Sequence, residues 1–144
     1  CNKDVYEGQF INGKRHGQGK LSFPDGRVYE GGFVDGKRHG QGKLSLPDGR
    51  VYKGEFVNGM CHGQGKLTWE DGGFYEGEWK NGKRHGQGKL IYKDGRVYEG
   101  EWKKGDPWTG KLYHPAAEDG SQKVVQYKEG QVVSEEFVSR ASSE

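Results

Sequence analysis

VYEGQFINGKRHGQGKLSFPDGR, residues 5–27, runs directly into VYEGGFVDGKRHGQGKLSLPDGR at 28–50, VYKGEFVNGMCHGQGKLTWEDGG at 51–73 and FYEGEWKNGKRHGQGKLIYKDGR at 74–96. Units begin at Val5, Val28, Val51, Phe74 and Val97, a constant spacing of 23 residues. A self-similar period of this length marks a repeat architecture, in which each unit buries itself mainly against its neighbours. The fifth unit opens as VYEGEWKKG and then departs, with Asp106-Pro107-Trp108-Thr109-Gly110 where the others carry KRHGQG or a close variant. A fainter echo, VVQYKEGQVV, spans Val124–Val133.

Within a unit, the run Val5–Phe10 and the run Arg15–Phe23 are separated by Asn12-Gly13. Such a pair between two short apolar-alternating runs signals a two-residue hairpin turn of type I′. Taken literally, the turn pairs Val5 with Lys20, Tyr6 with Gly19, Glu7 with Gln18 and Gly8 with Gly17. Because strand side chains alternate, Tyr6, Gly8, Phe10, Gly17, Gly19, Leu21 and Phe23 share one face, and Glu7, Gln9, His16, Gln18, Lys20 and Ser22 the other. The second connection is decided by parity. A three-residue loop at Pro24-Asp25-Gly26 pairs Leu21 with Tyr29 and Gly19 with Gly31, which keeps successive tyrosines on one face, whereas a two-residue loop reverses them. Gly26, Gly49, Gly72 and Gly95 supply the left-handed residue such a loop requires. Each ring then lies across facing glycine backbone.

Composition agrees with order built on little core. Hydrophobic residues make up 30% of the 144, yet 27 Gly recur at fixed intervals beside eight Tyr, six Phe and four Trp. Disordered chains are poor in aromatics. The expected fold is all-β, a single-layer, elongated and twisted antiparallel β-meander, its ten strands spanning about 50 Å. Residues 1–104 hold four intact repeats and the first strand of the fifth. Residues 105–138 form a degenerate repeat and cap, with Trp108 folded over the last open edge, and 139–144 a frayed tail. A short helix is expected over Val133–Ala141, with Ser134 as N-cap and Glu135-Glu136 in its first turn.

The pattern Tyr-x-Gly-x-Trp/Phe, then Asn-Gly-Lys-x-His-Gly-x-Gly, then an apolar pair and Asp-Gly closely resembles the MORN (membrane occupation and recognition nexus) repeat. The resemblance is strong from Val5 to about Lys104 and degenerate from Asp106 to about Glu136. It implies a groove-bearing β-sheet without catalytic activity of its own. MORN arrays accompany junctional-membrane, ciliary and cytoskeletal proteins and several enzymes, so the resemblance leaves the biology open.

Two surfaces are candidates for binding. The first is the aromatic face, formed by Tyr6, Phe10, Tyr29, Phe33, Tyr52, Phe56, Tyr75, Trp79, Tyr98 and Trp102 and edged by Leu21, Leu44, Leu67 and Leu90. As a groove it suits a helix or extended segment of a partner protein, or self-association; as a one-layer core, the same rings simply hold the fold. The second is a basic edge of Lys14, Arg15, Lys37, Arg38, Lys83 and Arg84, suited to acidic membrane lipid or merely a solvated rim. Charge restrains the lipid reading. The four repeats carry +2, +1, −1 and +3, residues 97–144 carry −3, and the whole chain is only +2.

Other chemistry finds no foothold in the sequence. His16, His39, His62 and His85 fall about two strands apart, too far to share one zinc ion, so no metal is expected. His-Gly-Gln-Gly lacks the third glycine of a dinucleotide fingerprint, and no cofactor, small-molecule substrate or nucleic acid is expected. No nucleophile, base and acid set stands apart from the repeat, so the chain is read as non-catalytic. Cys1 and Cys61 are too few for a disulfide framework, and a cytoplasmic setting follows, at the cytoplasmic face of a membrane or on the cytoskeleton. A chain that opens on a repeat is also readable as the targeting piece of a larger enzyme.

Overall fold

The computed structural model describes residues 4–139. Its elements are β1 (Val5–Ile11), β2 (Lys14–Ser22), β3 (Val28–Val34), β4 (Lys37–Ser45), β5 (Val51–Val57), β6 (Met60–Thr68), β7 (Phe74–Lys80), β8 (Lys83–Ile91), β9 (Val97–Lys103), β10 (Asp106–Tyr113), β11 (Ser121–Lys128) and β12 (Gln131–Ser139). They form one open antiparallel sheet in chain order. This is the expected β-meander, with twelve strands where ten were expected.

Turn chemistry fixes the connections. Asn12 and Gly13 have φ of 53° and 78°, and Asp35-Gly36, Asn58-Gly59 and Asn81-Gly82 repeat the pair of positive values that defines type I′. Gly26, with φ of 102°, closes the three-residue loop, and Leu21 pairs with Tyr29 as parity requires. In that loop the Asp25 carboxylate accepts from the Arg27 backbone N–H at 3.0 Å and from its Nε at 2.8 Å. Asp48-Arg50 and Asp94-Arg96 repeat the clasp.

The register inside each hairpin corrects the literal reading of the turn. Tyr6 faces Leu21, Glu7 faces Lys20 and Gly8 faces Gly19, while Phe10 faces Arg15. His16-Gly17-Gln18 therefore bulges opposite Gln9. Two features hold the bulge: Gly17 takes φ of 76°, and the Gln18 N–H donates to Gln9 Oε1 at 2.8 Å. Glu55 does the same for Gln64, and Glu78 for Gln87. The shift is two residues, an even number, so the assignment of faces survives.

Rings lie over glycines as expected, by a diagonal reach. A Cβ placed on Gly19, Gly42, Gly65 or Gly88 would come within 2.5 Å of Cε1 of Tyr6, Tyr29, Tyr52 or Tyr75. Each tyrosine then meets two rings edge to face, its own repeat's Phe or Trp and the next one's. Tyr29 meets Phe33 at 5.1 Å and Phe56 at 4.9 Å, and Tyr75 meets Trp79 and Trp102 at 5.2 Å each. Burial of such a ring stabilises by about 1.5–3 kcal/mol, and an edge-to-face pair adds about 0.5–1.5 kcal/mol. The buried hydroxyls are satisfied, since Tyr29, Tyr52, Tyr75 and Tyr98 donate to the carbonyls of Gly32, Glu55, Glu78 and Glu101 at 2.8–2.9 Å.

The end of the chain differs from expectation. β12 pairs with β11 from Lys128↔Gln131 to Ser121↔Ser139, so Val133–Ser139 is strand and not helix. Val132, Val133, Phe137 and Val138 are strand formers beside an open edge, and edge pairing outweighs a weak capping signal. β11 and β12 thus make a sixth hairpin about Glu129-Gly130, whose φ values of 53° and 83° repeat the turn. Trp108 does not cover a terminal edge. It sits in β10, with Lys103 Nζ 4.5 Å from its ring centre, while its carbonyl accepts from the Gly130 N–H. The expected tail beyond Ser139, the last two residues of the expected helix and Cys1 lie outside the described residues.

Candidate functional site

Eight of the ten expected groove residues are core. Tyr29, Phe33, Tyr52, Phe56, Tyr75, Trp79, Tyr98 and Trp102 are all at most 7% exposed, Tyr6 is half-buried, and Phe10 alone stands open at 58%. The ring column is therefore not an open aromatic surface between Tyr29 and Trp102. Each ring is enclosed by its neighbours, and in several repeats by arginine.

The arginines are the reason the basic edge divides. Phe10, Phe33 and Trp79 pair across the hairpin with Arg15, Arg38 and Arg84, which puts these side chains on the aromatic face. The Arg38 guanidinium lies 5.6 Å from the Phe56 ring centre and 5.8 Å from those of Tyr29 and Phe23. Arg84 lies 4.6 Å from Trp102 and 5.8 Å from Tyr75. Nη2 of each donates onward, from Arg38 to the Gly59 carbonyl at 2.6 Å and from Arg84 to the Gly105 carbonyl at 3.1 Å. Arg38 Nη1 is buried without a hydrogen-bond partner, beside ring faces that offer negative potential instead. Burial lowers the pKa of both arginines from the ordinary value, and both remain cations. Lys14, Lys37 and Lys83 do stand exposed at the rim.

A usable hollow opens where two aromatic columns converge. It measures about 370 Å³ and is lined by Trp69, Arg84, Leu90, Tyr92, Trp102 and Pro107 among others. Trp69 and Tyr92 are half-buried and sit beside the Asp-Gly loops, and Arg84 lies 6.0 Å from the Trp69 ring centre. Arg84 takes part in none of the ion pairs among the described residues, while Asp71 and Asp106 also line the hollow and the Asp106 charge favours the cationic form of Arg84. A partly desolvated cation walled by indole and phenol rings suits an acidic or amide-bearing side chain carried on an apolar segment.

The opposite face carries a second anomaly. One cross-strand row alternates charge, Glu7–Lys20–Glu30–Lys43, and resumes as Lys66–Glu76–Lys89–Glu99–Lys111. Between them Lys53 faces Lys43 on one side and Lys66 on the other. Three like charges directly opposed are destabilising in a sheet.

Sequence reasoning missed Trp69 and Tyr92, because the position occupied by Phe23, Leu46, Trp69 and Tyr92 varies in identity while keeping its apolar character, and Pro107, which stands in the divergent fifth unit. It also missed the lysine row, although aligning Glu7, Glu30, Lys53, Glu76 and Glu99 exposes the break at once.

A family model described as MORN repeat matches residues 6–26, 29–49, 52–74, 75–95 and 98–108. Among curated proteins none matches the chain. The matched segments follow the observed hairpins one for one through β10, and the chain belongs to the MORN repeat family.

Proposed function

We propose that this repeat scaffold is a non-catalytic adaptor that holds a segment of a partner protein in the hollow at Trp69, Arg84, Tyr92 and Trp102. The observation that carries the reading is the convergence there of half-buried rings on a cation that forms none of the ion pairs among the described residues, although Asp71 and Asp106 also line the hollow. Aromatic and arginine side chains in such settings dominate protein–protein affinity. A cytoplasmic setting, at a membrane's cytoplasmic face or on the cytoskeleton, belongs to the same proposal. The test begins with affinity purification and mass spectrometry to name the partner. Its affinity is then measured for the wild type, Trp69→Ala/Tyr92→Ala and, as a control outside the hollow, Phe10→Ala. A loss of tenfold or more confined to the double variant, with circular dichroism unchanged, supports the reading; equal affinity for all three overturns it.

A second reading is favoured by the lysine row alone. Lys43, Lys53 and Lys66, aided by the rim lysines, suit an acidic lipid surface. Sedimentation with phosphatidylserine vesicles should then fall with added salt and with Lys53→Glu. Sedimentation of the variant equal to the wild type's contradicts it.

A further inference from the structure

The loop that follows β6 departs from its counterparts. In the Phe23–Arg27 and Tyr92–Arg96 loops an arginine lies over the ring that opens the loop, its guanidinium carbon 4.3 Å from the ring centre. The same arginine donates from Nε to the loop aspartate, Asp25 or Asp94, at 2.8 Å. The Leu46–Arg50 loop keeps the ion pair and has no ring. The Trp69–Gly73 loop keeps both ring and aspartate, but Gly73 stands where Arg27, Arg50 and Arg96 do. Its backbone is otherwise that of the Phe23–Arg27 loop. The Trp69 N–H donates to the Gly73 carbonyl at 2.8 Å and the Gly73 N–H to Asp71 Oδ1 at 2.9 Å, against 2.8 Å and 3.0 Å there. Asp71 forms none of the ion pairs among the described residues.

Neighbouring groups do not close the space the arginine leaves. Trp69, Asp71 and Gly73, the counterparts of Phe23, Asp25 and Arg27, all line the hollow of about 370 Å³, with Trp69 half-buried and Asp71 exposed. A Cβ on Gly26 would meet Pro47 at 3.2 Å and one on Gly95 would meet Pro115 at 3.2 Å, whereas one on Gly72 would meet nothing within 4 Å. A Cβ on Gly73 would stand 2.9 Å from the Ile91 carbonyl oxygen, so this backbone does not accept an arginine of its own without shifting. Arg84 is no obstacle to a second cation. Phe23 already holds two guanidinium groups, Arg27 at 4.3 Å and Arg38 at 5.8 Å, and Trp69 holds only the counterpart of the latter, Arg84 at 6.0 Å. Charge also favours one, since Trp69 and Asp71 line an adjoining hollow with Asp48, Glu70 and Arg50, three carboxylates to one cation.

We propose that Trp69 and Asp71 take an arginine side chain from the bound protein segment, its guanidinium over the Trp69 ring and its N–H groups donating to the Asp71 carboxylate. The chain's own sets, Arg27 with Phe23 and Asp25 and Arg96 with Tyr92 and Asp94, define the ligand: a planar cation that stacks and donates at once, which the ammonium of lysine does not match. The inference rests on the reading that the hollow holds a partner segment, and adds that this segment carries an arginine beside the group that faces Arg84.

A phage-displayed library of random peptides is selected on the full chain, and the enriched peptides are synthesised and titrated by calorimetry. Peptides that lose tenfold or more in affinity on Trp69→Ala/Tyr92→Ala occupy the hollow. These should share an arginine, and its replacement by citrulline, which keeps the shape and removes the charge, should weaken binding about tenfold. Asp71→Asn keeps the acceptor for the Gly73 N–H. It should cost the arginine peptide about as much and the citrulline peptide no more than about twofold. Hollow-bound peptides without arginine, or an arginine-to-citrulline loss that is undiminished on Asp71→Asn or that vanishes on Asp106→Asn instead, overturn the inference and leave the reading of the hollow standing. Selection of no peptide that depends on Trp69 and Tyr92 overturns both.

Discussion

The joint between β8 and β9 and the joint between β6 and β7 share a backbone and, on the aromatic face of their strands, differ in one side chain. In the first, Arg84 ties Tyr75, Trp102 and the Gly105 turn together. In the second, Cys61 leaves Tyr52, Trp79 and the Gly82 turn without that tie, yet the rings keep the same angles and separations. Rings over glycines are therefore sufficient to set the geometry. The arginine adds stacking and a hydrogen bond to a ring pair that is buried in either joint.

Alkali should have the largest effect and should reach the two joints in order. Burial pushes Tyr29 and Tyr98 up to about 12 from 10.0, raises Tyr52 and Tyr75 in the same direction, and pushes the Cys61 thiol up to about 11 from 9.0. A folded pKa above the unfolded value gives stability that is whole below the unfolded value and is lost as pH rises through the folded one. Stability should hold to about pH 9, begin to fall first at the Cys61 joint, and be largely gone by pH 12. Circular dichroism with residue-resolved amide exchange against pH checks both the midpoint and the order.

Gly65→Ala and Gly88→Ala should each cost about 2–3 kcal/mol in urea denaturation, because the new methyl overlaps a buried tyrosine ring. Equal costs at the two joints would confirm that this contact is common to both. Arg84→Ala should cost about 1–2 kcal/mol through lost stacking and one hydrogen bond, and Cys61→Arg should recover about 1 kcal/mol. The smallest effect expected lies in the hairpin turns. Lys104 and Glu129 occupy the left-handed turn position, with φ of 51° and 53°, that Asn or Asp fills elsewhere. Lys104→Asn should raise stability by about 0.5–1 kcal/mol, read as a higher urea midpoint at unchanged slope.

Much of this was legible in the sequence wherever a residue type has a single use. Asn-Gly and Asp-Gly pairs gave the turns, and parity across Pro24-Asp25-Gly26 put every tyrosine on one face. Two-residue counting failed at the bulge because Gly17 and Gln9 act together, and neither is decisive alone. The sixth hairpin was hidden because Glu129 stands where a turn reading looks for Asn, and the Ser134-Glu135-Glu136 cap signal competed with an edge that only the assembled sheet presents. Arginine misled for a related reason. Its charge suggests a rim, yet pairing with Phe10, Phe33 and Trp79 turns its guanidinium over the rings.

The chemical shifts of the glycine Hα protons test the central claim most directly. Tyrosine rings stacked on Gly19, Gly42, Gly65 and Gly88 should move those protons upfield through the ring current, and Tyr75→Leu should return Gly88 alone to an ordinary strand value. Random-coil or ordinary strand shifts at all four glycines in the folded wild type would contradict the account.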